Sequence, residues 1–311
     1  MENLVQQTKS SSDKKQHSLV GSSFVLIAAL GFSAKAVMIK LAYGYSNQVD
    51  AITLMALRML IALPVFLWVA FLHRNSSQDK TVTVKDWLGI MILGGLGYYL
   101  ASYLDFTGLQ FISAGLERVI LFLYPTFVVL FSAIIFRRPV TLREALALLL
   151  CYSGMLWVFL ENMQPGSLDV FKGSILVLSS AISFALFMMG SGIMVKRMGS
   201  TRFTAFSMTI ACIATLVHFI VTHDLKPLNL PKQVYGLALL MAIFSTVLPA
   251  FLMNAGIRHI GSGTASIISS VGPIGTLLLA YIFLGEPLSW AQFAGTVLVL
   301  TGVYVASRAK S

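Results

Sequence analysis

The chain predicts an all-α membrane protein of ten transmembrane helices arranged as two inverted five-helix repeats, and three observations predict it. The first is composition: 57% of the residues are hydrophobic and 11% charged, with a mean hydropathy of +0.83, whereas soluble domains carry roughly 25% charged residues. The second is an internal repeat. Residues 100–155 lie on residues 248–303 without a gap, so that Pro125 meets Pro273, Pro139 meets Pro287, Gly108 meets Gly256 and Gly154 meets Gly302. Shared Pro and Gly positions mark shared helix breaks. The third is charge. Arg137, Arg138 and Arg143 face Gly285, Glu286 and Ala291, while Gln110 and Phe111 face Arg258 and His259. Exchanged basicity in equivalent loops is what one repeat inserted upside down produces.

A membrane helix needs about 20 mostly apolar residues. Polar residues 1–18, with Lys9, Lys14 and Lys15, read as a disordered cytoplasmic tail. The apolar run after them is too long for a signal-peptide core and reads as the first span. Along the chain, spans are expected at 19–41, 51–72, 87–107, 114–136 and 142–160, then at 172–194, 203–222, 234–256, 263–284 and 289–307. The repeats therefore cover 19–160 and 172–307. With the N-terminus in the cytoplasm, inner loops and tails hold fifteen basic residues. These are Lys9, Lys14, Lys15, Arg74, Lys80, Lys85, Arg137, Arg138, Arg143, Lys196, Arg197, Arg202, Arg258, Arg308 and Lys310. The outer side keeps four: Lys40, Lys172, Lys226 and Lys232. That asymmetry places both termini inside. Trp68 and Trp87 fall at inner span ends and Trp157 and Trp290 at outer ends, as interfacial belts require.

The net charge of +10 belongs to short loops, where it fixes topology and meets anionic lipid, not nucleic acid. Cys151 and Cys212 lie inside apolar runs as packing residues, and no disulfide or metal spacing exists. No phosphate loop, HExxH, serine elbow or paired-carboxylate motif occurs, so neither an enzyme nor a cofactor is expected.

Ionisable residues at membrane depth cost about 2.5–3.5 kcal/mol on insertion scales and usually face a cavity or a partner. Five stand out: Lys35, Arg58, Asp105, Glu117 and Arg118. All belong to the first repeat and to the outer half of the membrane, as a paired network lining a vestibule would. The competing reading puts Glu117 and Arg118 at the interface and makes Asp105 a helix cap. Tyr98, Ser102 and Asp105 share one helix face above Gly94, Gly95 and Gly97. Glu117, Leu121 and Tyr124 align just before Pro125. Ser266, Ser269, Ser270 and Pro273 make a small polar face in the ninth span, which also fits a packing seam. Pro125 and Pro273 are the expected hinges, since interrupted helices at corresponding positions point to a transporter's site. Pro64 and Pro249 read as ordinary kinks, and His218 and Asn254 as satisfied packing residues.

Each repeat ends in a helix, a short Pro-containing turn and a final Gly-bearing helix. The first reads YPTFVVLFSAIIFRRPVTLREALALLLCYSGM and the second GPIGTLLLAYIFLGEPLSWAQFAGTVLVLTGVYV. With the turn GEPLS at Gly285–Ser289 and the segments GFSAKAVMIKLAY and LMALRMLIALP, the chain resembles the drug/metabolite transporter superfamily, specifically its ten-helix EamA-type permeases. The first copy departs with Arg137–Arg138–Pro139, which its inner-side position explains. The resemblance implies a bundle with a cavity between the repeats, in a bacterial inner membrane, that exports amino acids or other small metabolites. Candidate substrate-binding residues are Lys35, Arg58, Tyr98, Ser102, Asp105, Glu117, Arg118, Tyr124, Ser266 and Ser270. Lys35 and Arg58 are expected to attract a carboxylate and Tyr98 and Tyr124 to give aromatic contact. Asp105 or Glu117 would balance the cations or, in a proton-coupled version, titrate. Uptake, uncoupled facilitation and a lipid-handling or non-transporting membrane protein are the alternatives.

Overall fold

In a computed structural model the described residues are 2–73, 83–135, 137, 141–162, 168–223 and 229–308, and every regular element among them is helical. The side chains of residues 2–18, 144, 262–263, 266–267, 270, 303 and 306–308 are not described. Arg74, Lys80, Arg138, Pro139, Lys226 and Lys310, used above for topology, lie outside the described residues.

The elements are α1 (Glu2–Tyr45), α2 (Ala51–Leu72), α3 (Val84–Gly108), α4 (Ala114–Ile135), α5 (Leu142–Asn162), α6 (Leu168–Met198), α7 (Ser200–Thr222), α8 (Lys232–Gly261), α9 (262–284) and α10 (Trp290–Arg308). Eight are long and apolar enough to cross a membrane, and Gly272–Leu284 and Trp290–Gly302 are shorter apolar helices. One expectation differs. The backbone of residues 2–18, read as a disordered tail, continues α1 as helix. No Pro or Gly lies between Glu2 and Val20 to stop the helix propagating from its apolar part.

Local chemistry sets the ends. Asp50 caps α2 by accepting from the Thr53 amide at 2.9 Å. Thr83 and Asp86 form a capping box at the start of α3. Ser113 caps α4 through the Leu116 amide at 3.2 Å. Gly261 and Gly285 take positive φ, 79° and 65°, where α8 turns into α9 and where α9 stops.

Four helices are irregular, and their irregularities recur 148 residues apart. α3 carries a π-helical stretch at Gly95–Leu100 and α8 one at Ile243–Val247. α4 breaks at Phe122–Leu123 before resuming at Tyr124, and α9 passes through a 3₁₀ turn at Ser269–Val271 before Gly272. Pro125 and Pro273 each sit in the first turn of the resumed helix, where the missing N–H costs nothing. Pro249 explains the π stretch in α8, because its ring displaces the Ser245 carbonyl from α-helical pairing.

Packing follows the same repeat. α5 lies along α10, α1 along α8 and α3 along α6. A Cβ on Gly154 would meet the Gly295 carbonyl at 2.7 Å, and one on Gly302 the Ala147 carbonyl at 2.6 Å. Cys151 points its Sγ at the Val299 carbonyl, 3.4 Å away, which is its own counterpart in the second copy. Likewise Gly21 faces Gly256 and Gly108 faces Gly173. Such close backbone approach is how apolar helices associate where lipid offers no hydrophobic drive. Gly154→Leu should therefore wedge α5 from α10 and cost about 1–3 kcal/mol. Gly236→Ala, at an exposed glycine with nothing within 4 Å, should cost nothing. Melting in detergent compares the two, and equal losses would show that the seam is not tightly packed.

Candidate functional site

The irregular stretches surround one cavity, with about 90 Å³ open to the centres of water-sized molecules. α1 contributes Lys35 and α2 contributes Arg58 and Met59. α3 gives Gly97, Tyr98 and Ser102 across its π stretch, and α4 gives Arg118 and Tyr124 on either side of its break. α6, α7, α8 and α9 close the other walls with Phe184, Met208, Thr246, Met253 and Ser269. None of the described lining residues comes from α5 or α10, so the glycine seam supports the site from outside.

Side-chain hydroxyls bond carbonyls in and beside the irregular stretches. Ser183 donates to the Leu96 carbonyl at 2.8 Å, Ser180 to Ala101 at 2.7 Å and Thr246 to Met241 at 2.9 Å. The Leu96 carbonyl also accepts from the Ala101 N–H, so the serines of α6 tie α6 to α3 at its π stretch. Across the repeats Tyr124 and Ser269 share a hydroxyl–hydroxyl bond of 2.7 Å. Tyr98 is held edge-on against Phe187, with ring centroids 4.8 Å apart, and receives a bond from the Asn254 amide at 3.3 Å.

The five membrane-depth charges meet beside the cavity. Lys35 Nζ lies 2.6 Å from Asp105 Oδ2. Arg118 Nε lies 3.5 Å from Glu117 Oε2, and its Nη2 donates to the Phe32 carbonyl at 2.9 Å. Glu117 and Arg118 are 0% and 3% exposed, enclosed by neighbouring helices. Asp105, 1% exposed, pairs with a cation through its side chain, so its role is more than a helix cap. Neither acid lines the cavity: Lys35 and Arg118 stand in front of them.

Arg58 is different. It is 2% exposed, it lines the cavity, and its Nε and Nη2 have no hydrogen-bond partner among the described residues. Its guanidinium carbon lies 4.7 Å from the centre of the Phe106 ring, a cation–π contact that holds the group in place while leaving its donors free.

Tyr98, Ser102 and Tyr124 line the cavity as the helix-face pattern implies. Ser266 and Ser270 lie among residues whose side chains are not described, whereas their neighbour Ser269 lines the cavity. His218 bonds Tyr99 at 3.0 Å away from the cavity wall. Sequence reasoning missed two features. Asn254 positions Tyr98, and only the partner's position could have shown this. Glu286 accepts from the Ala114 and Gly115 amides at 2.9 and 3.1 Å, tying the α9–α10 turn to the start of α4. Its GEPLS turn was the available signal.

A protein of this architecture matches the model of the EamA-like transporter family twice, over residues 19–160 and 171–308. The chain belongs to the EamA-like transporter family. It is an integral membrane protein of that family, and its curated relatives are named as transporters, not enzymes. The uncharacterized transporter YcbK of Bacillus subtilis (strain 168) is 31% identical over 301 residues, covering 93% of this chain and 94% of YcbK. YyaM of the same organism, also an uncharacterized transporter, is 27% identical over 73% of this chain and 75% of its own length. A probable terminal-alkyne amino-acid exporter of Streptantibioticus cattleyicolor is 43% identical, but over 54 residues, 17% of this chain and 18% of that protein. A solved crystal structure with 18% identity superposes with a TM-score of 0.64 over 96% of this chain and 99% of its own, a likeness of fold.

In this EamA-family chain, Lys35→Met should strand the Asp105 carboxylate and cost about 3–5 kcal/mol. Adding Asp105→Leu should recover most of that loss. Equilibrium unfolding of the single and double variants measures the coupling, and a double variant no more stable than Lys35→Met would show that the ion pair is not a unit.

Proposed function

We propose that this chain is an inner-membrane secondary transporter whose ten spans form two inverted five-helix repeats, 19–160 and 172–307, with both termini cytoplasmic. It exports a small metabolite carrying a carboxylate or other anionic group, such as an amino acid or a related compound. The observation that carries this reading is Arg58, a cavity-lining residue whose buried guanidinium keeps two nitrogens without a hydrogen-bond partner among the described residues. Intramembrane charges of this kind mark substrate pathways.

Inversion is supported by the exchanged loop charges and by irregular helices matched at the same offset, since five spans per copy force the second to enter from the opposite face. Outward direction is supported by the printed name of the Streptantibioticus relative. Export would proceed by rocking of the two halves about the cavity, with Tyr98 and Tyr124 offering ring faces and hydroxyls to the cargo. Burial of the Asp105 and Glu117 carboxyls beside Lys35 and Arg118 supports a proton-coupled version in which one of them titrates.

In proteoliposomes, Arg58→Ala and Lys35→Ala should each reduce counterflow of labelled cargo at least about tenfold, the loss expected when a charge-assisted bond disappears. Flux unchanged in both variants would remove them from the pathway. Single cysteines at positions 137 and 285 should react with impermeant reagents from opposite faces of the membrane, and labelling from one face would exclude inversion.

A further inference from the structure

The charge of the cargo can be narrowed from the wall that would hold it. Resting on the permease reading above, we propose that the preferred cargo is an amphipathic organic anion, a carboxylate with an apolar body and no ammonium group, in preference to an α-amino acid of the same skeleton.

Three cationic side chains line the cavity, Lys35, Arg58 and Arg118, and no carboxylate stands among the described lining residues. Asp105 and Glu117 lie behind Lys35 and Arg118, at 2.6 and 3.5 Å from them, and are consumed in neutralising them. Two acids balance two of the cations. The third, Arg58, has no ion-pair partner within bonding distance among the described residues, and its buried Nε and Nη2 have no hydrogen-bond partner there. The nearby Asp105 charge, already paired with Lys35, compensates it only in part. A buried guanidinium so placed is expensive, so a ligand carboxylate that reaches it, with a small shift of the side chain into the cavity, relieves a cost the empty protein bears. An ammonium entering the same space meets repulsion from the three cations and finds no anion.

The wall opposite is apolar. Met253 occupies the position that corresponds to Asp105 in the first copy, and it lines the cavity with Met208, Met59 and Phe184. Ser180 and Thr246 donate to the Ala101 and Met241 carbonyls. Their oxygens remain neutral acceptors, which offer an ammonium no charge to offset the three cations. One anionic head on Arg58 and a hydrocarbon or aromatic body among methionines is the ligand this wall complements. Flexible thioethers also adapt to bodies of different shape.

Two matched series test the charge class in the purified full-length protein: isocaproate, leucine and isoamylamine, and hydrocinnamate, phenylalanine and phenethylamine. In each series the acid should raise the melting temperature by ligand linkage and the amine should not. The amino acid should bind at least about tenfold more weakly than its acid. Arg58→Gln and Arg58→Lys should both abolish the shift given by the acids, and Arg58→Lys, which keeps the charge, guards against a variant that fails to fold. An amino acid that binds as well as its acid in either series, acids without effect on the wild type, or acid binding that survives in both Arg58 variants would each overturn the proposal. Counterflow in proteoliposomes separates its failure from that of the permease reading. Leucine or phenylalanine moved in preference to its acid overturns the anion assignment alone. Movement of neither acid nor amino acid overturns both.

Discussion

The cost of an uncompensated charge away from water governs the centre of this protein. Lys35 and Arg118 are tolerable there because Asp105 and Glu117 lie within ion-pair reach, and the acids in turn because of those cations. Neither acid reaches the cavity surface, so the pairs behave as a neutral scaffold and leave Arg58 as the free charge. Phe106 gives Arg58 a face to rest on, yet a ring quadrupole replaces only part of a counter-ion. Burying such a group is tolerated where it serves a ligand, which ties the electrostatics of the empty site to the chemistry of what enters it.

Backbone satisfaction supplies the second constraint, and it explains why the cavity lies where it does. Unpaired carbonyls are excluded from the hydrocarbon but allowed where protein or a cavity meets them. α3, α4, α8 and α9 are the irregular helices, and all four line the cavity. α5 and α10 are unbroken helices that meet each other through glycines. Irregular backbone is thus confined to the interior while the regular pair forms a stiff outer seam. Ser180 and Ser183 of α6 add side-chain bonds to the Ala101 and Leu96 carbonyls and so fix α6 against α3 where its π stretch lies.

Much of this was legible in the sequence, and the reasons differ by feature. Helices and their approximate ends follow from apolar length and from breakers, which act locally. The cavity-facing residues Tyr98, Ser102 and Tyr124 follow from helical periodicity, and Pro125 and Pro273 locate the broken helices because proline acts on its own chain. The π stretch at Gly95–Leu100 was not legible, since glycines permit it without specifying it and its stabilising serines lie on another helix. Pairing was equally opaque. Five charges at similar depth implied a network, but only the fold assigns Lys35 to Asp105 and leaves Arg58 alone. The burial of Glu117 and Arg118 was not legible either, because sequence position near a span end does not report the helices packed around it. Residues 2–18 were read from polarity, which measures how little a segment can bury and not whether a neighbouring helix extends into it.

A repeated scaffold need not carry repeated chemistry, and here the difference between the copies is what the cavity uses. At the shared offset, Asp105 corresponds to Met253, Glu117 to Ala265 and Arg118 to Ser266. The backbone breaks at the same places in both copies, so each contributes the same openings to the centre. Among the described lining residues, the first copy brings the cations Lys35, Arg58 and Arg118, while the second brings hydroxyls, Phe184 and the thioethers of Met208 and Met253. A cavity between two such halves carries its charge on one side, an arrangement that two identical copies could not produce. The close backbone contacts and the cavity wall are thus built from separate residues, the first from glycines such as Gly154 and Gly295 and the second from the side chains that face the cavity.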